Sequence, residues 1–407
     1  MTLVAEPGAP AAGATETPRS LLFLLADTGG GHRASAAAVA QEVERRYGNE
    51  FSAQLFDPVA EAAPAALAAV AGLYSPLIRW VPWAWGLLWH ATDSRFAVRA
   101  MSGSVLRLLE PGLRGEIERV GPVAVVSFHP LLNHPTAHVL GQLGGQHVPL
   151  VTVVTDLVDV HASWTCVDAD TVIAATPGGL DRCRRAGIAA SRCVDLGLPV
   201  AHAFCRPPAE AEERSVLRAR LGLRTDQFTV LLTGGGEGSG GLYRRVRALL
   251  RSRLPIQLLV VCGRNRRLVD KLSVLTPTPP AELVVEGFVS NMAEWMRAAD
   301  IVVSKAGPGT IAEAQCADTP LLLTSYVPGQ ERGNVGFVIS TGTGRYAPRV
   351  TDMIDTIAEL AQPGSPAMTA MRLALAHAAR PLAAVRIADL VCSLARNAQD
   401  TRARVRL

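Results

Sequence analysis

Two glycine-rich turns, about two hundred residues apart, constrain this chain most: each follows an apolar run and leads into helix-forming sequence. In the first, Leu21-Leu22-Phe23-Leu24-Leu25 precedes Asp27-Thr28-Gly29-Gly30-Gly31-His32-Arg33. In the second, Val230-Leu231-Leu232-Thr233 precedes Gly234-Gly235-Gly236-Glu237-Gly238. A buried strand, a glycine turn and a helix open a doubly wound α/β domain. Finding this twice predicts two such domains facing a cleft. Glycine lets the backbone approach a ligand closely, and the helix start offers unpaired N–H groups to an anion. His32 in the first turn adds a group that can act as a base near neutral pH. A base on one loop and an anion cradle on another is the layout of a group-transfer enzyme.

The 407 residues accommodate two or three domains, and 49% hydrophobic against 19% charged residues supports a large core. A formal charge of +4 argues against a dedicated nucleic-acid binder. The seven cysteines form no CxxC pair and no His/Cys metal spacing, which fits a reducing cytoplasm. Residues 1–19, rich in Ala, Pro, Gly and Thr, read as a disordered tail, not as a signal peptide.

Parallel strands are predicted at 54–57, 123–128, 150–155 and 171–174, with a helix from Ala34 to Tyr47. Pro199, Pro207 and Pro208 mark a linker over 199–208. The pattern then restarts, with strands at 229–233, 257–262, 283–286, 301–303 and 320–324 and a helix from Gly309 to Ala317. Met368 to Leu394 reads as a closing helical stretch that Pro381 should kink or split. The expected units are an N-terminal domain over 20–198, a C-terminal domain over 209–367, a helical stretch over 368–397 and a basic tail over 398–407.

From Ala62 to Ala91 the only formal charge is Arg79, and Trp80, Trp83, Trp85 and Trp89 cluster there. Three readings stand: contact with a bilayer surface, a buried helical hairpin, or a membrane span, the last opposed by Pro64, Pro76 and Pro82.

The first turn lacks the GxxxxGK[ST] of a P-loop, which argues against an ATPase. His32 is either functional or a structural, capping histidine. Ser304-Lys305-Ala306-Gly307-Pro308-Gly309-Thr310 follows a strand, and Thr310 is expected to open a helix whose N–H groups face a diphosphate. Glu313 then either holds a ribose diol or is an acid stabilised by the helix dipole. Tyr326 to Asn334, dense in amide and carboxylate groups, suits a polyhydroxylated ligand or is an ordinary polar turn. His129 and His134 are weaker cleft candidates without metal spacing. Asp156 and Asp159 end a strand, with Asp159 expected to face water.

Together these motifs resemble the monogalactosyldiacylglycerol synthase and processive diacylglycerol glycosyltransferase group of glycosyltransferase family 28. The resemblance rests on Asp27 to Ala36, Thr155-Asp156-Leu157, Gly234 to Gly238, Cys262-Gly263-Arg264-Asn265, Gly287-Phe288, Lys305 to Ala314 and Pro328 to Asn334, in family order over roughly residues 20 to 345. It implies a GT-B fold: two Rossmann-like domains, the first taking a lipid acceptor and the second a UDP-sugar, with the last helical stretch crossing back to the first domain.

On this reading the chain is an inverting hexosyltransferase that moves galactose, in preference to glucose, from a UDP-sugar to diacylglycerol with no cofactor and no essential metal. His32 is the expected base, with Asp27 orienting its loop. Gly235, Gly236, Gly263, Phe288, Gly307, Gly309 and Thr310 are expected around the donor diphosphate. Glu313 is expected at the ribose, and Gln330, Glu331 and Asn334 at the hexose. Gly30, Gly31, His129, Asp156 and the four tryptophans Trp80, Trp83, Trp85 and Trp89 are expected on the acceptor and membrane side. The protein is expected to be cytoplasmic and peripheral on an anionic membrane face, aided by Arg79, Arg95 and Arg99 and by the tail arginines Arg396, Arg402, Arg404 and Arg406. Other readings are transfer to another lipid acceptor such as a polyprenyl-linked one, a UDP-sugar 2-epimerase, and a non-catalytic UDP-sugar binder.

Overall fold

The computed structural model describes residues 17–407 except 28–29, 65–71, 73–76, 78–80, 104–105, 145–146, 207–210, 237–240, 278 and 406–407. Two parallel sheets of six strands organise it. The first runs in the order β2-β1-β3-β4-β5-β6, from β1 (Arg19–Leu24), β2 (Phe51–Phe56), β3 (Ala124–Ser127), β4 (Leu150–Val153), β5 (Thr171–Ala174) and β6 (Cys193–Asp195). The second runs β12-β11-β10-β7-β8-β9, from β7 (Phe228–Thr233), β8 (Ile256–Val261), β9 (Glu282–Glu286), β10 (Ile301–Lys305), β11 (Leu321–Ser325) and β12 (Gly344–Tyr346). Strands covered on both faces must be apolar along their whole length. Leu21, Leu22, Phe23 and Leu24 are accordingly all 0% exposed.

This strand order fixes where a ligand can sit. In the first sheet the chain reverses direction of growth between β1 and β3, and in the second between β7 and β10. At such switch points adjacent loops leave on opposite faces and open a crevice at the carboxyl strand ends. The glycine turn after β1 and the Phe128-His129 segment after β3 flank one crevice. Gly235-Gly236 after β7 and Gly307 after β10 flank the other.

Helix α1 (Gly31–Tyr47) starts earlier than expected: Gly30 adopts φ 85° as its N-cap, so His32 lies in the first turn. The Trp-rich segment contributes α2 (Pro82–Thr92), followed by α3 (Arg95–Ser102). In the second domain α4 (Pro308–Cys316) follows β10, and α5 (Arg332–Ser340) follows β11. The closing stretch is split where proline stands, into α6 (Pro366–Ala378) and α7 (Ala383–Val405). Helix α7 packs its Ile387, Ala388, Val391 and Cys392 with Leu21, Phe23 and Val39 of the first domain. At about 1.5–3 kcal/mol for each large buried aliphatic side chain, Ile387 and Val391 alone anchor it firmly. Arg46 and Tyr47 also bond to Asp389, and Arg396 bonds to Glu50.

Two strands, β6 and β12, were not anticipated. Each has three residues, too few to show a hydrophobic period. No described helix is long and apolar enough to cross a membrane.

Candidate active site

A cleft of about 1030 Å³ separates the two sheets. Asp27, Gly30, Gly31 and Arg33 line it from the first domain. Gly235, Gly236, Gly263, Phe288, Gly307, Gly309, Thr310 and Glu313 line it from the second. Much of the expected donor set thus converges on one surface. Gly263, at φ 59°, sits so close to the β7 turn that a Cβ there would lie 2.8 Å from the Gly235 carbonyl oxygen. Arg264 N–H closes the pair by donating to the Gly236 carbonyl at 2.9 Å. Phe288 is 65% exposed, with the Arg264 guanidinium 5.7 Å from its ring centre.

Helix α4 begins at Pro308, with Gly307 as N-cap, so Thr310 is its third residue and not its opener. Glu313 consequently lies in the second turn, beyond the N-terminal dipole field. Its carboxyl has no hydrogen-bond or ion-pair partner among the described residues, and burial pushes its pKa up to about 7. A half-buried carboxyl at the cleft wall, without a partner among the described residues and beside the glycine turns, can accept hydroxyl donors.

On the acceptor side His32 stands within a polar cluster. Its Nδ1 lies 2.9 Å from Thr155 Oγ1, the Phe128 backbone bonds to its ring, and the His129 ring packs edge-on with centres 4.6 Å apart. The topology explains the meeting, because these residues end β1, β4 and β3. Burial lowers the His32 pKa to about 4, opposed by the Phe128 bond and the Asp27 charge. The ring is therefore neutral at pH 7, the form that accepts a proton. Asp27 is paired with Arg33, whose Nε is 3.1 Å away, and its own N–H donates to buried Asp57 at 2.9 Å. These contacts hold the Asp27 loop in place. His129 is 4% exposed and lies behind His32. His134, on the helix after β3, contributes nothing described to the cleft.

Asp156 is 4% exposed; Trp164 Nε1 donates to it at 2.7 Å, and Gln330 Nε2, from the other domain, at 3.2 Å. Burial raises its pKa to about 6. Trp164 links this carboxylate back to His32, the ring centres being 6.0 Å apart. Asp159 is half-buried and not left to water alone: Gly333 N–H, at the start of α5, donates to it at 2.6 Å across the domains. The expectation of a water-facing Asp159 missed this because the partner is supplied by the other domain.

Glu331 and Asn334 also sit elsewhere than expected. Glu331 is 3% exposed, with one oxygen on Lys305 and the other accepting from Val327 N–H at 2.8 Å. Asn334 is fully buried and donates to the Ala306 carbonyl at 2.9 Å. Both hold the loop from beneath. Gln330, half-buried and reaching Asp156, is the member of the trio that faces the first domain.

The tryptophan cluster divides. Trp80 lies outside the described residues. Trp83 is 66% exposed, but Trp85 is half-buried and Trp89 is packed against His161, with ring centres 4.6 Å apart. The cluster therefore does not share one exposed face: of its described tryptophans Trp83 is the exposed one, with Leu87 and Phe96 as further exposed apolar side chains. Helix α2 is apolar on both faces, and composition alone does not say which face meets protein.

Sequence reasoning gave Thr155 and Trp164 no role in this cluster. A hydroxyl directly after an all-buried strand was the available signal for Thr155. Trp164 had none short of the fold.

Comparison with known proteins follows the same division. The profile of the family described as monogalactosyldiacylglycerol (MGDG) synthase matches residues 32–200, and that of the glycosyltransferase family 28 C-terminal domain matches residues 229–336. A probable chloroplastic monogalactosyldiacylglycerol synthase of Glycine max is 33% identical over 380 residues, spanning 91% of this chain and 71% of the relative. The chain belongs to the monogalactosyldiacylglycerol synthase family. Monogalactosyldiacylglycerol synthase 1 of Arabidopsis thaliana is 31% identical over 400 residues, spanning 95% of this chain and 73% of the relative. Among solved structures, MurG of Acinetobacter baumannii superimposes with a TM-score of 0.62 at 16% identity, covering 92% of this chain and all of that one. UDP-GlcNAc 2-epimerase of Neisseria meningitidis gives 0.57 at 12%, with 92% and 100% coverage. These likenesses establish the GT-B fold, and the family membership makes the protein a glycosyltransferase.

Proposed function

We propose that this protein transfers galactose from UDP-galactose to the free hydroxyl of diacylglycerol, with inversion at the anomeric carbon and without an essential metal. The observation that carries this reading is the facing, across one cleft, of Asp27, Gly30 and Gly31 by a glycine-lined cradle and the Glu313 carboxyl, with the neutral His32 of the next helical turn held by Thr155. The curated relatives that share most of this chain carry the name monogalactosyldiacylglycerol synthase, which supports the choice of galactose and diacylglycerol.

His32 takes the proton of the acceptor hydroxyl as its oxygen bonds to the anomeric carbon. The bond from that carbon to the diphosphate breaks, and UDP leaves with the electron pair. Backbone N–H groups of Gly235-Gly236 and of the first turn of α4 meet the charge that develops on the leaving diphosphate. Glu313 receives the ribose hydroxyls, and Gln330 binds the hexose, its loop held by Glu331 and Asn334. The acceptor enters from a bilayer on which the first domain docks reversibly. Trp83, Leu87 and Phe96 enter the interface there, and Arg95 and Arg99 face anionic headgroups.

The test is His32→Ala. Loss of a general base should lower turnover by about two to four orders of magnitude while UDP binding is retained. Near wild-type turnover would remove His32 from the mechanism.

A further inference from the structure

We propose that Trp89 is a positioning residue for the donor hexose: from the bilayer-facing helix of one domain it braces the Pro328-Gly329-Gln330 loop of the other. The proposal rests on the reading above that Gln330 binds the hexose.

Helix α2 has two apolar faces with different fates. Trp83 and Leu87, 66% and 64% exposed, lie on its outer side. Gly86 and Trp89 lie on its inner side, and both are buried. That inner side meets the donor loop directly. A Cβ on Gly86 would lie 2.9 Å from the Pro328 Cβ, and a Cβ on Gly329 would lie 2.7 Å from two atoms of the Trp89 indole. Gly329 also has φ +84°. Neither contact leaves room for a side chain, so the loop and the helix move together or not at all. Behind the indole stands His161, whose Nε2 is 3.2 Å from Thr92 Oγ1 and whose Nδ1 is 2.8 Å from Ser163 Oγ. The brace is thus backed by a fixed ring. The next residue of the loop, Gln330, bonds to Asp156. Its backbone is set by Trp89 on one side and its amide by Asp156 on the other.

One consequence follows from the outer face. A bilayer that restrains α2 also restrains the donor loop, and by thermodynamic reciprocity the bound hexose favours the docked helix. UDP alone, held by the glycine turns and Glu313, lacks the group that touches this loop and is not coupled.

The experiment is calorimetric titration of the full chain with UDP and with UDP-galactose, with and without vesicles of phosphatidylcholine and phosphatidylglycerol lacking diacylglycerol. Trp89→Ala should weaken UDP-galactose roughly three- to thirtyfold and leave UDP within about twofold, the range of couplings carried by packed contacts. Trp89→Phe, which keeps a ring against Gly329, should restore most of the loss. Vesicles should strengthen UDP-galactose binding in the wild type and not in Trp89→Ala. Equal weakening of UDP and UDP-galactose, or an equal vesicle effect in both proteins, overturns the inference. A loss in Gln330→Ala with none in Trp89→Ala overturns it while leaving the reading of Gln330 standing. No loss in either overturns both.

Discussion

Glu313 gives the donor site a measurable proton signature. Its carboxyl is half-buried, has no hydrogen-bond or ion-pair partner among the described residues, and has its pKa raised by burial to about 7, against 4.5 in water. That shift corresponds to about 3 kcal/mol against the ionised form in the empty site. Ribose hydroxyls donating to the carboxylate would offset that cost, so UDP should bind the ionised protein. At pH 6 about one molecule in ten is ionised, and at pH 8 about nine in ten, so this group alone should strengthen UDP binding about tenfold between the two. UDP has its own ionisation near this range, which Glu313→Gln isolates. The variant should keep only the nucleotide's own slope and should release fewer protons on binding. Titration calorimetry at pH 6, 7 and 8, in buffers of different ionisation enthalpy, reads both quantities. Stability supplies a second sign. The folded pKa is raised, so the folded state binds the proton more tightly, and stability from this group falls as pH rises from 4.5 through 7. Glu313→Gln should therefore melt higher than wild type at pH 8 and close to it at pH 4.5. Identical pH slopes and identical UDP affinities in the two proteins would refute the ribose role.

Asp156 obeys the same sign, its pKa being raised from 3.8 to about 6 by burial. Asp156→Asn should gain thermal stability relative to wild type at pH 8 and not at pH 4, as melting curves at both values would show. Gly263→Ala forces a side chain into φ 59° and against the Gly235 carbonyl, and should cost roughly 1–3 kcal/mol; a lowered melting temperature with weaker UDP binding is expected, and an unchanged Tm would contradict the packing described. Trp83→Ala combined with Leu87→Ala should reduce sedimentation with anionic vesicles, leaving a salt-sensitive remainder from Arg95 and Arg99. Undiminished binding would show that α2 is not the docking element.

Both glycine turns were legible in the sequence because their physics is local. An apolar run bounded by glycines has few conformations, and Gly30, Gly235 and Gly263 do adopt positive φ. The two-domain α/β class and the split at Pro381 follow from equally local signals. What was not legible depends on the other domain or on packing beneath a loop. Asp159 was expected in water but receives Gly333, and Glu331 was expected at the sugar but is held beneath the loop by Lys305 and Val327. Trp89 was expected at a bilayer but packs on Gly329. In each case residue type and spacing were read correctly and the direction of the side chain was not. Direction here is set by contacts separated by well over a hundred residues or by burial beneath a loop.

Transfer itself offers the most direct test of the central claim. The purified protein, given equal UDP-galactose and UDP-glucose with vesicles containing diacylglycerol and with chelator present, should form a hexosyl-diacylglycerol. Mass spectrometry of isotopically distinguished donors should assign the sugar to galactose, and NMR should show the anomer opposite to that of the donor. Preferential use of UDP-glucose, retention of configuration, dependence on added metal, or turnover of the UDP-sugar without any lipid product would contradict the account.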